Sequence, residues 1–191
     1  MFEEHSRTSR RGFIGGGLAA IMAGNASAQC APIDLGIQNI PQEMPNWCWV
    51  AAAQQIIFWA TGDAPPQCAM AGMANNVQPQ YACAAPGQMN VPGYMQQIAA
   101  LISRFVGAHS MMGGPGTAEQ VYETIYYNRP IIMLVNPGFS QVGHFVVIRA
   151  VSCGSGELLI HLNDPLNFPG FSTTVTYGQI ARMWTAALVV G

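Results

Sequence analysis

Positions 48–59 read Cys-Trp-Val-Ala-Ala-Ala-Gln-Gln-Ile-Ile-Phe-Trp, apolar on nearly every side, and the run stops at Thr61-Gly62. That pattern predicts a buried helix with glycine as its C-terminal stop. A second helix is expected over 91–106, where Tyr94, Ile98, Leu101, Ile102 and Phe105 recur at helical spacing before Gly107. Thr117 and Gln120 match a capping box, which opens a third helix reaching Tyr127 or Asn128. Residues 63–90 show little periodicity and read as an irregular loop, and the glycines of 113–116 read as a turn.

Beyond Asn128 the period changes. Segments 130–135, 144–151, 157–162, 172–176 and 186–190 read as successive strands, with a short helix over 177–184. Helices first and strands second predict an α+β domain with an antiparallel sheet. The length of 191 residues and an apolar fraction of one half suit one such domain with a real core.

Charge narrows the function. The chain has no lysine, and Arg7, Arg10 and Arg11 lie in its first dozen residues. The rest carries four scattered arginines against seven carboxylates, a net charge near −3, which cannot neutralise a phosphate backbone. Nucleic acid is therefore excluded as a partner.

The first 28 residues read as a targeting segment. Ser9-Arg10-Arg11-Gly12-Phe13-Ile14 resembles the twin-arginine export signature, a mildly apolar stretch follows over 15–24, and Ala26-Ser27-Ala28 forms an A-x-A cleavage site. The apolar stretch is about half of the ~20 residues that span a bilayer, so no stable membrane anchor is expected. The mature domain would then be 29–191, exported to a bacterial periplasm or beyond.

The remaining cysteines are Cys30, Cys48, Cys68, Cys83 and Cys153, an odd number in an oxidising compartment. Setting Cys48 aside leaves four, which allow three pairings. A bridge between Cys68 and Cys83 would hold the aperiodic loop, and Cys30 would then join Cys153. No C-x-x-C or H-x-x-x-H spacing is present, so neither a metal site nor a cofactor is expected.

Cys48 also begins the first helix, where peptide dipoles favour the thiolate. A nucleophilic thiolate needs a proton acceptor that later protonates the leaving group, a role imidazole suits. The mature chain offers His109 in a loop, His144 at the start of a strand, and His161 late in the next strand. Alternation with Ile160 and Leu162 turns His161 to solvent, and no role is apparent for His109.

Gln42-Glu43-Met44-Pro45-Asn46-Trp47-Cys48-Trp49 places a glutamine six residues before the cysteine and resembles the active-site segment of papain-like cysteine peptidases. Asn-Trp-Cys-Trp-x-Ala-Ala is most similar to the bacterial branch of AvrRpt2-type effectors and C39-like peptidases. Gly143-His144-Phe145-Val146-Val147-Ile148 resembles the histidine strand of that group, and Leu162-Asn163-Asp164-Pro165 its Asp-Pro segment. The resemblance covers about residues 38–166.

It implies a papain-like fold, with an N-terminal helical subregion around the nucleophile helix and a C-terminal antiparallel sheet or barrel. By the same resemblance Cys48 is the nucleophile, His144 its base, and Asp164 the group that orients the imidazole. Gln42 and the Cys48 N–H would form the oxyanion hole. Asn163 competes with Asp164 for the third place, and successive strand residues point to opposite faces, so one of them alone reaches His144. Trp47 and Trp49 would wall the site, with Trp47 also touching substrate.

The implied activity is hydrolysis of peptide bonds in a peptide or protein substrate through an acyl-thioenzyme. An acyl transferase, a cell-wall amidase and a non-catalytic binding domain are the alternatives. The 96 residues between Cys48 and His144 exceed the separation usual in cell-wall amidases.

Overall fold

In the computed structural model, which describes residues 30–136, 138, 143–154, 156–167 and 173–191, the apolar run after Trp47 folds as a helix, α1 (Cys48–Thr61). Residues 49–57 are all buried, and Gly62 ends the helix in the left-handed region while donating its N–H to Phe58 O. The export segment expected at 1–28 lies outside the described residues.

A short strand, β1 (Ile33–Asp34), precedes α1. After it, the segment 63–90, expected to be an irregular loop, instead holds α2 (Gln67–Ala74), α3 (Pro79–Ala84) and a 3₁₀ turn (Pro86–Met89). At eight and six residues these helices span only about two turns or fewer, too few for an apolar periodicity to stand out. Cys68–Cys83 joins α2 to α3, and Gly72 lies so close that an added Cβ would meet the Ala82 side chain at 2.5 Å.

The second expected helix starts later than its apolar spacing suggested, as α4 (Met95–Val106), with Tyr94 taken up as its N-cap. Residues 110–113 form strand β2 (Ser110–Gly113), an element too short, and too close to the glycines of 113–116, to be read from the sequence. Thr117 and Gln120 make the expected capping box of α5 (Ala118–Tyr126). The remaining elements are β3 (Ile131–Val135), β4 (His144–Gly154), β5 (Glu157–Asn163), β6 (Thr174–Thr176), α6 (Tyr177–Ala181) and β7 (Trp184–Val190).

The strands form one antiparallel sheet in the order β2-β7-β3-β4-β5-β6, and β1 pairs with β4 at Ala150 and Val151. Period-two alternation gives the sheet two apolar faces. Ile132, Phe145, Val147 and Leu188 pack with α1, α2 and α4 on one side. Ile131, Met133, Val146, Ile148 and Ile160 pack with α5 and α6 on the other. The α+β class with an antiparallel sheet expected from the sequence is the one observed, although β1 precedes the helices and β2 falls between α4 and α5. Its consequence for function is that the N-terminus of α1 meets the start of β4 and the end of β5.

Cys30–Cys153 fastens the first described residue to the end of β4, so both disulfides follow the expected pairing and Cys48 is the free cysteine. None of the helices among the described residues is long and apolar enough to cross a membrane.

Candidate active site

Cys48 is the first residue of α1 and is partly exposed. The first turn carries no acidic residue, and Trp47 caps it without a side-chain hydrogen bond. The partial positive charge of the helix N-terminus is therefore not neutralised by the chain itself. It acts on whatever anion sits at Cys48.

His144 opens β4 and is 4% exposed. Gly143 delivers it from a backbone at φ +74, where a side chain is strained and a Cβ would also crowd the Leu134 side chain at 2.9 Å, so glycine is favoured. His144 Nε2 lies 2.6 Å from Asp164 Oδ1, and the ring lines the same pocket as Cys48, close enough for the two to interact electrostatically. With Nε2 committed to the carboxylate, Nδ1 is the ring nitrogen left for sulfur. Burial opposes the charged imidazole, but hydrogen bonds and opposite charge from Asp164 and Cys48 outweigh it. Together they raise the His144 pKa from 6.5 to about 9.

Asp164 follows the end of β5 and is 1% exposed. Its Oδ1 also accepts the Leu166 N–H at 2.9 Å. Asn163, its rival in the sequence, points elsewhere: its Nδ2 donates to Ile37 O at 2.9 Å and to Gln55 Oε1 at 3.1 Å. The strand alternation that allowed only one of the two to reach His144 thus selects Asp164.

Behind the pair lies a buried amide network that the sequence did not reveal. Gln55 of α1 accepts from Asn163 and donates to Asn39 Oδ1 and Ile40 O, both at 3.1 Å. Asn39 Nδ2 in turn donates to Asp164 O at 3.1 Å. The helix that begins at Cys48 therefore also anchors the Asp164 segment. Two adjacent glutamines, Gln54 and Gln55, amid an otherwise apolar buried run were the one available signal.

Gln42 reaches the same pocket. Its N–H donates to Pro165 O at 2.8 Å, which ties it to the Asp-Pro segment. Its Nε2 donates to Met44 O at 2.9 Å and Pro45 O at 2.8 Å, while Oε1 is buried without a partner among the described residues. An oxyanion would have to compete with one of these carbonyls for the amide. Reversing the amide would set Oε1 against two carbonyl oxygens, so its orientation is fixed.

The expectation that Trp47 touches substrate is corrected. Trp47 is 0% exposed, and its indole N–H donates to Met89 O at 2.7 Å. The apolar interior holds it because its one polar atom finds a carbonyl there. The pocket is walled instead by Trp49, Asn46, Pro92, Gly93, Phe145 and Leu166, around Cys48 and His144.

Its volume is about 140 Å³, room for a peptide group and little more. A second groove of about 730 Å³ adjoins it, sharing Pro92, Gly93 and Phe145 and extending over Val91, Tyr94, Met112, Leu134 and Ala186. Among the described residues no charged side chain lines this groove. Val91, Tyr94, Met111, Met112 and Leu166, large apolar side chains left exposed, all lie on or beside the two openings.

His161 is half-buried and bonded, with Nε2 2.8 Å from Ser152 Oγ and Nδ1 3.1 Å from Thr174 Oγ1. Among the described residues no group of three or more His, Cys, Asp or Glu could hold a metal ion.

The Peptidase_C39 like family model matches residues 34–187. Of the two bacterial groups that the cysteine segment resembles, this match bears on the C39-like one. A structure described as a C39-like peptidase from Bacillus anthracis is similar with a TM-score of 0.58 and 13% identity, covering 84% of this chain and 98% of that one. Digestive procathepsin L 3 of Tenebrio molitor larval midgut has a TM-score of 0.55 and 11% identity, over 84% of this chain and 69% of its own. A double glycine motif protease from an AMS/PCAT transporter, in complex with the leader peptide, has a TM-score of 0.50 and 14% identity over 83% and 96%. At these identities the likeness is one of fold. No curated protein matches the chain in sequence.

Proposed function

The chain belongs to the Peptidase_C39 like family, and on that premise we propose that it is an exported cysteine endopeptidase acting through Cys48, His144 and Asp164. The observation that carries the reading is the buried His144, 2.6 Å from Asp164 Oδ1 and facing the same pocket as Cys48.

In the reaction, the Cys48 thiolate attacks the peptide carbonyl and a C–S bond forms. Negative charge gathers on the carbonyl oxygen, which the Cys48 N–H and the Gln42 amide would stabilise, Gln42 exchanging one carbonyl partner for the oxyanion. Protonated His144 gives its proton to the amine as the C–N bond breaks. Neutral His144 then takes a proton from water, whose oxygen attacks the thioester, and the Cys48 thiolate is released. Asp164 holds the ring so that one nitrogen faces sulfur throughout.

The substrate is an extended peptide with a large apolar side chain in the uncharged groove. Burying such a side chain is worth about 1.5–3 kcal/mol, enough to discriminate against a charged one. The disulfides and the twin-arginine-like segment support export to an oxidising compartment.

Digesting a peptide library with the mature protein tests this function. Cleavage beside sites bearing Leu, Met or Phe, abolished by Cys48→Ala, supports it. No cleavage by a protein whose Cys48 reacts normally with iodoacetamide contradicts the hydrolase reading.

A further inference from the structure

The tryptophans on either side of Cys48 have no place in the reaction above, yet both indole N–H groups are spent on one neighbouring segment. Trp47 donates to Met89 O at 2.7 Å and Trp49 to Val91 O at 3.1 Å. Between these two carbonyls, Asn46 binds Asn90 twice: the Asn46 N–H donates to Asn90 Oδ1 at 2.9 Å, and Asn46 Nδ2 to Asn90 O at 3.0 Å. Three consecutive residues, 89–91, are thus fastened by 46, 47 and 49.

The next two residues, Pro92 and Gly93, line both the catalytic pocket and the apolar groove. Gly93 lies against the Trp49 ring so closely that an added Cβ would come within 2.2 Å of Cδ2 and 2.4 Å of Cε2. No side chain fits there. The strap therefore approaches the helix start as nearly as a peptide backbone can.

We propose that Asn46, Trp47 and Trp49 are positioning residues that fix the strap 89–93, and with it the wall at Pro92 and Gly93, at a set distance from Cys48. The nucleophile and the wall are referenced to the same few residues. A peptide laid between the wall and His144 is thereby held with its carbonyl at the sulfur. Small reagents that need no wall reach Cys48 whether or not the strap is in place.

This inference rests on the proposed peptidase reading, and the test separates the two. The probes are iodoacetamide, which needs no binding, and a peptidyl epoxide with leucine in its recognition sequence. Each is used on the mature protein and on its Trp47→Phe, Asn90→Ala and Asn90→Asp variants, with far-UV circular dichroism confirming the fold. Trp47→Phe removes the donor to Met89 O. Asn90→Ala removes the acceptor for the Asn46 N–H, and Asn90→Asp restores one.

The expected result is that Trp47→Phe and Asn90→Ala lose about tenfold of the preference for the peptidyl probe, which is one bond's worth of positioning. Asn90→Asp regains most of it, and the iodoacetamide rate stays within about twofold throughout. If Trp47→Phe does not fold, the two Asn90 variants decide. Folded variants that keep the preference, or that lose reactivity to both probes in parallel, overturn the proposal. A wild-type protein that reacts with iodoacetamide yet shows no preference for the peptidyl probe overturns the peptidase reading instead.

Discussion

His144 Nε2 and Asp164 Oδ1 lie 2.6 Å apart with both side chains nearly sealed from water, His144 at 4% and Asp164 at 1% exposure. A carboxylate in that position sets which ring nitrogen faces Cys48 and how firmly the ring keeps its second proton. Its removal therefore has a readout in pH as well as in rate.

Asp164→Asn keeps the side-chain shape and the acceptor for Leu166 N–H but removes the charge. His144, raised to about 9 with burial opposing, loses one of the partners that hold it up. The alkaline limb of the rate, where protonated His144 is lost, should move down by about one pH unit or more. A profile of kcat/KM between pH 5 and 10 checks this, and an unmoved limb would show that Asp164 does not act on the imidazole.

The same raised value links pH to stability. A histidine whose pKa is higher folded than unfolded contributes stability that is complete below its unfolded value of 6.5. That contribution falls away as pH rises through about 9. The wild-type Tm should decline across this window, by an amount equivalent to about 3 kcal/mol at most. His144→Gln should flatten the decline. Parallel curves for the two proteins would refute the linkage.

Gln42→Ala should lower kcat by about 10²–10³-fold if its amide turns to the oxyanion. KM should change little, because the carbonyls of Met44 and Pro45 are freed rather than any substrate contact. Steady-state kinetics on one peptide separates the two constants. An unchanged kcat would mean that the amide stays with its two carbonyls throughout.

Gln55→Leu should destabilise the fold by about 1–3 kcal/mol, since it removes one of the two partners of buried Asn163 Nδ2 and the donor to Asn39 Oδ1 and half-buried Ile40 O. Urea unfolding of the variant measures this. A loss below about 0.5 kcal/mol would mean that the network relaxes without cost.

Much of this was legible in the chain, and the reasons differ by element. The run 48–59 identifies α1 because it is long and apolar, and the capping box at Thr117 fixes the start of α5 because the cap is a local chemical event. The helices of 63–90 were not legible: eight and six residues hold too little periodicity, and packing at Gly72 and the Cys68–Cys83 bridge settle them instead. β2 is an exposed edge strand with one flank on β7, so its sequence never needed to alternate.

In the site, Cys48, His144 and Asp164 could be named because motif and strand parity constrain them. Trp47 could not be placed, since whether an indole faces substrate or core depends on where a carbonyl 42 residues away happens to lie. The hub at Gln55 was hidden for the same reason. Its partners are distant in sequence, and two adjacent glutamines in an apolar helix do not say what either binds.

The most direct test of the account is the rate at which iodoacetamide alkylates Cys48 in the native mature protein, compared with His144→Ala. The account predicts rapid alkylation of this one cysteine near neutral pH, slowed by about 10²-fold or more in the variant. Slow labelling of native protein, unchanged when His144 is removed, would contradict it.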